Sequence, residues 1–224
     1  MALSDIMASS IHDIKNSLSL ILNSLDELIE NPKNHLGDPH QANLLRHEIR
    51  RANRNLIQLL TLYKLTNEQT VIHVAEHNLD DFLEEIIADN RAICSALGFE
   101  LSYHCDPMLT GYFDWELVRG IMDSTIGNAT RYARSTILIT AVQEDGELVI
   151  RVEDDGTGFA GSVLQSFPES QQTFGEPSIA GRTQLGMYFA GCIARLHHNG
   201  DRHGSIHLSN GHHLCGACFE LHLP

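Results

Sequence analysis

The sequence predicts an α+β chain in which a helical hairpin precedes a mixed unit of strands and helices. Two observations carry this reading. Apolar residues recur at alternating three- and four-residue steps across positions 7–28 and again across 45–63, the spacing of a helix with one apolar seam. After Thr66-Asn67-Glu68 that period gives way to short β-prone runs separated by helical stretches and turn residues.

In the first helix Met7, Ile11, Ile14, Leu18, Ile21, Leu25 and Leu28 form the seam. With Ile11 and Ile14 at the a and d positions, His12 falls at b and Asn16 at f, one turn apart on the solvent-facing side. With Asp13 beside them, an imidazole, a carboxylate and a carboxamide are offered together to water. The helix fades at Glu30-Asn31-Pro32, and the stretch from Asn34 to Pro39 carries Gly and Pro, both turn formers. The second helix repeats the seam with Leu45, Ile49, Ala52, Leu56, Leu59 and Tyr63. Two such helices make an antiparallel hairpin that cannot cover its own seam, so pairing with a second copy into a four-helix bundle, a homodimer, is expected. Arg46, Arg50, Arg51 and Arg54 read as a solvated helix face.

In the second half, Thr70–Val74 reads as a short strand, and Asn78 is placed to cap a helix from Leu79 to Ala96 with Asp80 and Asp81 in its first turn. A strand from Phe99 to His104 and a helix from Trp115 to Tyr132 follow. Thr136–Ala141 and Glu147–Val152 flank Glu144-Asp145-Gly146, a hairpin signal. From Phe159 to Thr183 there is little periodicity, which suggests a mobile loop of functional size. A helix resumes near Leu185, and two strand-like runs between Gly204 and Leu223 are separated by Asn210-Gly211. The division expected is 1–68 and 69–224.

The 224 residues carry a formal charge of −14, which argues against nonspecific nucleic-acid binding. No apolar run approaches the ~20 residues of a membrane span, and the N-terminus lacks a signal peptide's basic and apolar regions. Five cysteines without a scaffold pattern read as reduced thiols, and the expectation is a soluble, cytoplasmic protein.

Asp154-Asp155-Gly156-Thr157-Gly158 follows a strand and opens a loop, where glycine lets backbone approach a ligand and a buried carboxylate can accept from an exocyclic amino group. Asn128 offers a neutral oxygen to Mg2+, and Arg131 offers positive charge to phosphate. Gly186, with Leu185 at a helix start, opens backbone amides to phosphate. Each signal alone is equally consistent with a turn, a surface amide, a solvated charge or a helix cap.

Taken in order, these segments resemble the catalytic core of two-component sensor histidine kinases over nearly the whole chain. His12-Asp13-Ile14-Lys15-Asn16-Ser17-Leu18 resembles the H box, and Asn128-Ala129-Thr130-Arg131-Tyr132 the N box. Asp154-Asp155-Gly156-Thr157-Gly158 and Thr183-Gln184-Leu185-Gly186-Met187 resemble the two glycine boxes. The resemblance implies a dimerisation and phosphotransfer hairpin followed by a Bergerat-type α/β sandwich that binds ATP and Mg2+. It implies that His12 takes the γ-phosphoryl group with Asp13 as base, that Asn16 orients water for dephosphorylation of the partner, and that Asn128 holds the metal. Arg131, Tyr132, Gly156, Gly158, Leu185 and Gly186 would line the nucleotide site, and Asp154 would read adenine. The implied partner is a response-regulator receiver domain, with input from a separate sensory protein because only about ten residues precede His12.

The chain departs from the pattern at four places. Ser17 replaces a proline, Ser124 stands where the N box usually has a second asparagine, and Arg182 and Gln184 replace glycines of the second glycine box. These motivate an alternative: a histidine phosphotransfer protein whose Bergerat-like domain no longer binds ATP. A phosphatase acting through Asn16 would need the same bundle. Cys215, Cys218, His212 and His213 would suit zinc, but the last strand passes through this segment in the family, and the expectation is a strand and not a metal site.

Overall fold

The computed structural model describes residues 3–30, 39–66, 71–166 and 184–224. The chain divides into two compact units, Met1–Thr70 and Val71–Pro224.

The first unit is two helices, α1 (Leu3–Glu30) and α2 (Pro39–Thr66). Pro39 stands in the first turn of α2, where a missing N–H costs nothing because that donor has no partner within the helix. The Asp26 carboxylate, near the end of α1, meets Arg46 at 2.6 Å and Arg50 at 3.8 Å near the start of α2, as an antiparallel hairpin requires. The apolar seam splits. Leu18, Leu22, Leu25 and Ile29 of α1 are half-buried, as are Ile49, Leu56 and Tyr63 of α2. Ile14, Ile21 and Leu28 stay 50%, 51% and 51% exposed, and Leu45 and Leu59 53% and 45%. With the exposed Ala52, these are two stripes at seven-residue spacing that stay open among the described residues of this unit.

The second unit contains β1 (Ala75–Asn78), α3 (Leu79–Ala96), β2 (Glu100–Cys105), β3 (Thr110–Phe113), α4 (Trp115–Tyr132), β4 (Thr136–Glu144), β5 (Glu147–Asp154), α5 (Gly161–Ser166), α6 (Gln184–Leu196), β6 (His198–Asn199), β7 (Arg202–His203), β8 (Ser205–Asn210) and β9 (Ala217–Leu223). Five strands form a mixed sheet in the order β2-β4-β5-β9-β8, with β2 parallel to β4 and the other pairs antiparallel. The β4–β5 turn is the two-residue kind the sequence signals. Asp145 and Gly146 both have positive φ, +49° and +77°, and Glu144 pairs with Glu147 across them.

Strand alternation sorts the sheet into two faces. Ile137, Ile139, Ile150, Val152 and Leu221 share the face on which α4 and α6 pack, and each is at most 3% exposed. On the opposite face Arg151 bridges neighbouring strands, with Nε donating to Glu220 at 2.9 Å and Nη1 to Glu144 at 3.0 Å.

Both long helices of this unit that follow a strand start at a side-chain cap, the first at the expected Asn78. Asn78 Oδ1 accepts from the Asp81 amide at 3.0 Å, and Asp114 Oδ1 accepts from the Leu117 amide at 3.1 Å. The Asp114 amide donates to Nε2 of the buried His197 at 2.9 Å, so Nδ1 carries the proton and donates to the Ile193 carbonyl at 2.8 Å. Both ring nitrogens are thereby used, and burial pushes the pKa of His197 down.

Two expectations are corrected. The strand expected at Thr70–Val74 is not formed over residues 71–74. Pairing starts at Ala75, opposite Phe113, and the His73 amide goes to Asp114 Oδ2 at 2.8 Å. Strand β3 and the short β6–β7 pair carry no clear sequence signal. Part of the loop expected from Phe159 is helix α5, and its stretch from 167 to 183 lies outside the described residues.

Candidate functional site

A cavity of about 290 Å³ opens between α4, α6 and the ends of β5 and β9. Its walls are largely apolar, with Ala129, Val152, Met187 and Phe219 among them, and Asp154 stands in their midst. Of the residues singled out in the sequence, Asn128, Tyr132, Asp154, Gly158 and Gly186 line this space.

Asp154 is 4% exposed. Its Oδ1 accepts from the Gly156 amide at 2.8 Å and the Ala217 amide at 3.3 Å. No other donor to this carboxylate is found among the described residues, so Oδ2 keeps its lone pairs for a ligand. Burial pushes the Asp154 pKa up; the two amide hydrogen bonds oppose it, and the adjacent Asp155 charge adds to it. Asp155 shows the opposite balance. Burial raises its pKa, but hydrogen bonds from the amides of Ser135, Thr136 and Arg134 and from the Ser135 hydroxyl outweigh that and hold it far below the ordinary carboxylate value. One carboxylate is therefore aimed at the cavity, while its neighbour locks the turn after α4.

Glycines set how closely the pieces approach. A Cβ on Gly156 would stand 2.0 Å from the Tyr132 carbonyl oxygen, and one on Gly216 2.3 Å from Asp154 Oδ1. Gly186 brings the start of α6 against α4, where a Cβ would meet Ser124 Oγ at 2.8 Å and Asn128 Nδ2 at 3.6 Å. Gly158 has φ +78°, and Asn210 closes its loop by accepting from the Phe159 amide at 2.7 Å and donating to the Phe159 carbonyl at 3.0 Å.

Arg131, Gly156 and Leu185 do not line the cavity. Arg131 is exposed, with its guanidinium 5.5 Å from the Tyr132 ring centroid, and acts on the site at most through that ring. Asn16 is exposed on α1; positions 12 and 13 lie on the same helix, but the side chains of His12 and Asp13 are outside the described residues, as are residue 182 and the side chain of Gln184. The sequence reading missed Gly216. It was read simply as strand, and only the approach of β9 to Asp154 reveals what its missing side chain allows.

The donor set fits a nucleotide and its cation: a buried acceptor in an apolar slot, and at the α4 end the Asn128 amide with the Ser124 hydroxyl beside it. Residues 114–224 match the family described as histidine kinase-, DNA gyrase B-, and HSP90-like ATPase. Residues 114–224 thus carry a domain of this ATPase family.

Its relatives agree. The chain is 25% identical over 142 residues to sensor protein RstB of Escherichia coli, covering 62% of this chain and 30% of that protein. It is 20% identical over 201 residues to sensor protein SrrB of Staphylococcus aureus, covering 86% and 34%. The chain thus spans about a third of the length of these curated relatives. In fold the ATPase domain resembles the catalytic domain of histidine kinase ThkA, with TM-score 0.56 and 17% identity over 68% of this chain and 96% of that one. Acinetobacter baumannii histidine kinase AdeS aligns over 95% of this chain and 96% of its own, with TM-score 0.61 and 15% identity. Full-length ShkA in complex with AMPPNP aligns over all of this chain and 46% of its own, with TM-score 0.65 and 21% identity. The Bergerat-type α/β sandwich expected from the sequence is present. Among the described residues no helix is long and apolar enough to cross a membrane.

Proposed function

We propose that this chain is an ATP-dependent protein-histidine kinase that phosphorylates His12 and passes the phosphoryl group to an aspartate of a response-regulator receiver domain. In this reading residues 1–68 are a dimerisation and phosphotransfer hairpin and residues 69–224 the catalytic domain. The observation that carries it is the free oxygen of a buried carboxylate, Asp154, inside an apolar cavity of an ATPase-family domain.

Asp154 accepts from the exocyclic amine of adenine, and the apolar walls exclude water from the base. Asn128, with Ser124 beside it, would provide oxygen ligands for Mg2+, and the ion would offset charge on the triphosphate. Tyr132 lines the nucleotide site, and Arg131 adds its charge from behind that ring. Asp13 acts as base and takes up the imidazole N–H proton of His12 as the other ring nitrogen attacks the γ-phosphorus; the bond to the bridging oxygen breaks, and ADP leaves with its electron pair. The phosphohistidine then gives the group to the acceptor aspartate, and Asn16 positions the water that later hydrolyses the partner's aspartyl phosphate to release phosphate. The uncovered stripes of α1 and α2 support a homodimeric four-helix bundle. The alternative of a phosphotransfer protein with a degenerate domain is not favoured, since the cavity retains its acceptor.

Incubation with labelled ATP and Mg2+ tests the reading. Acid-labile label is expected on the wild type and none on His12→Ala, with nucleotide binding unchanged in that variant. Asp154→Asn is expected to weaken nucleotide binding by at least about tenfold, the cost of losing one charge-assisted acceptor. Nucleotide binding with no label on the wild type would overturn the kinase reading.

A further inference from the structure

Glu153 lies one residue before the cavity's carboxylate and points to the opposite face of the sheet. It is 1% exposed, and no lysine or arginine pairs with it among the described residues. Its Oε2 accepts from the amides of His213 at 2.7 Å and Leu214 at 3.0 Å, and Oε1 lies 3.0 Å from His212 Nδ1. A carboxylate this deeply removed from water with no full positive charge opposite it is costly. The imidazoles of His212 and His213 stand at the mouth of the same recess, exposed, with ring centroids 4.2 Å apart. One ligating atom from each of the three side chains lies within 4.8 Å of the other two.

We propose that Glu153, His212 and His213 form a binding site for a divalent cation of the Zn2+ class, which fastens the β8–β9 loop to β5. Two imidazole nitrogens and one carboxylate oxygen are the donors such ions prefer, whereas Mg2+ prefers oxygen. Tetrahedral bonds of about 2.0–2.2 Å set neighbouring ligand atoms roughly 3.3–3.5 Å apart. His212 Nδ1 and Glu153 Oε1 therefore separate by only a few tenths of an ångström when the ion enters, and the Nδ1 proton is released or moves to Nε2. The two backbone amides on Oε2 keep the carboxylate aimed while Oε1 binds, the supporting role that outer partners play around metal ligands. The remaining coordination position faces solvent and takes water. Neither cysteine joins the set: Cys218 is buried in β9, and the Cys215 thiol lies 3.8 Å from the Asp155 carbonyl oxygen.

The ion would act on the neighbouring cavity through the backbone. The Gly211 amide donates to the Gly216 carbonyl at 3.0 Å, and the Gly216 amide donates to the Asp154 carbonyl at 2.9 Å, so the fastened loop is the one that ends beside Asp154. Binding itself does not depend on the nucleotide reading.

Calorimetric titration of the full chain with Zn2+, without nucleotide, tests the site. One equivalent is expected to bind, and His212→Ala and His213→Ala are each expected to weaken it by at least about tenfold, the lower end of what loss of a supporting contact around a metal costs. Both substitutions fall on exposed side chains, so folding is not at stake as it is for Glu153→Gln. Cys215→Ser and the double variant His198→Ala, His203→Ala are expected to bind as the wild type does. No saturable binding, affinity unchanged by both His212→Ala and His213→Ala, or affinity lost in Cys215→Ser would overturn the proposal.

Discussion

The two units of this chain bury apolar surface in different ways. In the sheet unit Leu79, Phe82, Phe113, Val118, Ile121 and Ile193 are all fully buried, and the core closes within a single chain. In the hairpin, Ile14, Ile21 and Leu28 repeat every seven residues with half of each side chain still exposed. A two-layer unit has two surfaces to press together, whereas two helices have one line of contact and leave the other side open. Stability of the sheet unit is therefore internal, whereas in the proposed homodimer that of the hairpin depends on protein concentration.

The largest effect that can break this contrast is in the sheet unit. Gly156→Ala drives a methyl group into the Tyr132 carbonyl oxygen, a backbone atom with no side-chain freedom to yield. Loss of about 3 kcal/mol, at the upper end of overpacking costs, is expected in the melting of this unit, with hairpin association unchanged. A variant as stable as the wild type would show that the turn does not need the close approach. Next is Ile21→Asp, which puts a carboxylate on the open stripe and, in a symmetric pair, close to its own copy. Sedimentation should show dissociation at concentrations where the wild type is dimeric, a loss of roughly 3 kcal/mol, while the sheet unit keeps its melting temperature. Dimers that survive would place the interface elsewhere.

The smallest effect concerns Asp155. Its folded-state pKa is held below the unfolded value, so its hydrogen bonds contribute stability above about pH 4 and lose it as pH falls through the lower folded value. Asp155→Asn should therefore melt a few degrees lower at pH 7. The gap from the wild type should close in acid; a constant gap across pH would mean that the carboxylate's charge is not what holds the turn.

Legibility in the sequence followed the range of the forces involved. Asn78 and the Asp145-Gly146 turn act within four residues of themselves, and the start of α3 and the β4–β5 hairpin were readable from them, whereas the Asp114 cap of α4 was local but not read. The heptad seams fixed both hairpin helices, but not which half of each seam would face inward, because that depends on a partner. Strand β1 was placed early because Val71 and Val74 have the higher strand preference, yet pairing fell to Ala75–Asn78, where β3 supplies a neighbour. In the site, Asp154 and Gly186 were legible as parts of local patterns. Gly216 and Glu153 were not, since what distinguishes them is contact across about sixty residues of chain.

At the end of β5 three acidic residues follow one another and point three ways: Glu153 to one face, Asp154 to the other, Asp155 back to the turn after α4. Only the phase of the strand distinguishes them, and that phase is set by the tight Asp145-Gly146 reversal at the far end of the same ribbon. One residue inserted there would rotate the whole row by half a cycle and present Glu153 where Asp154 stood. The aim of the ligand-reading oxygen is thus decided by a bend that never comes near it, and damage at that bend would look like loss of binding in a protein whose pocket residues are all intact.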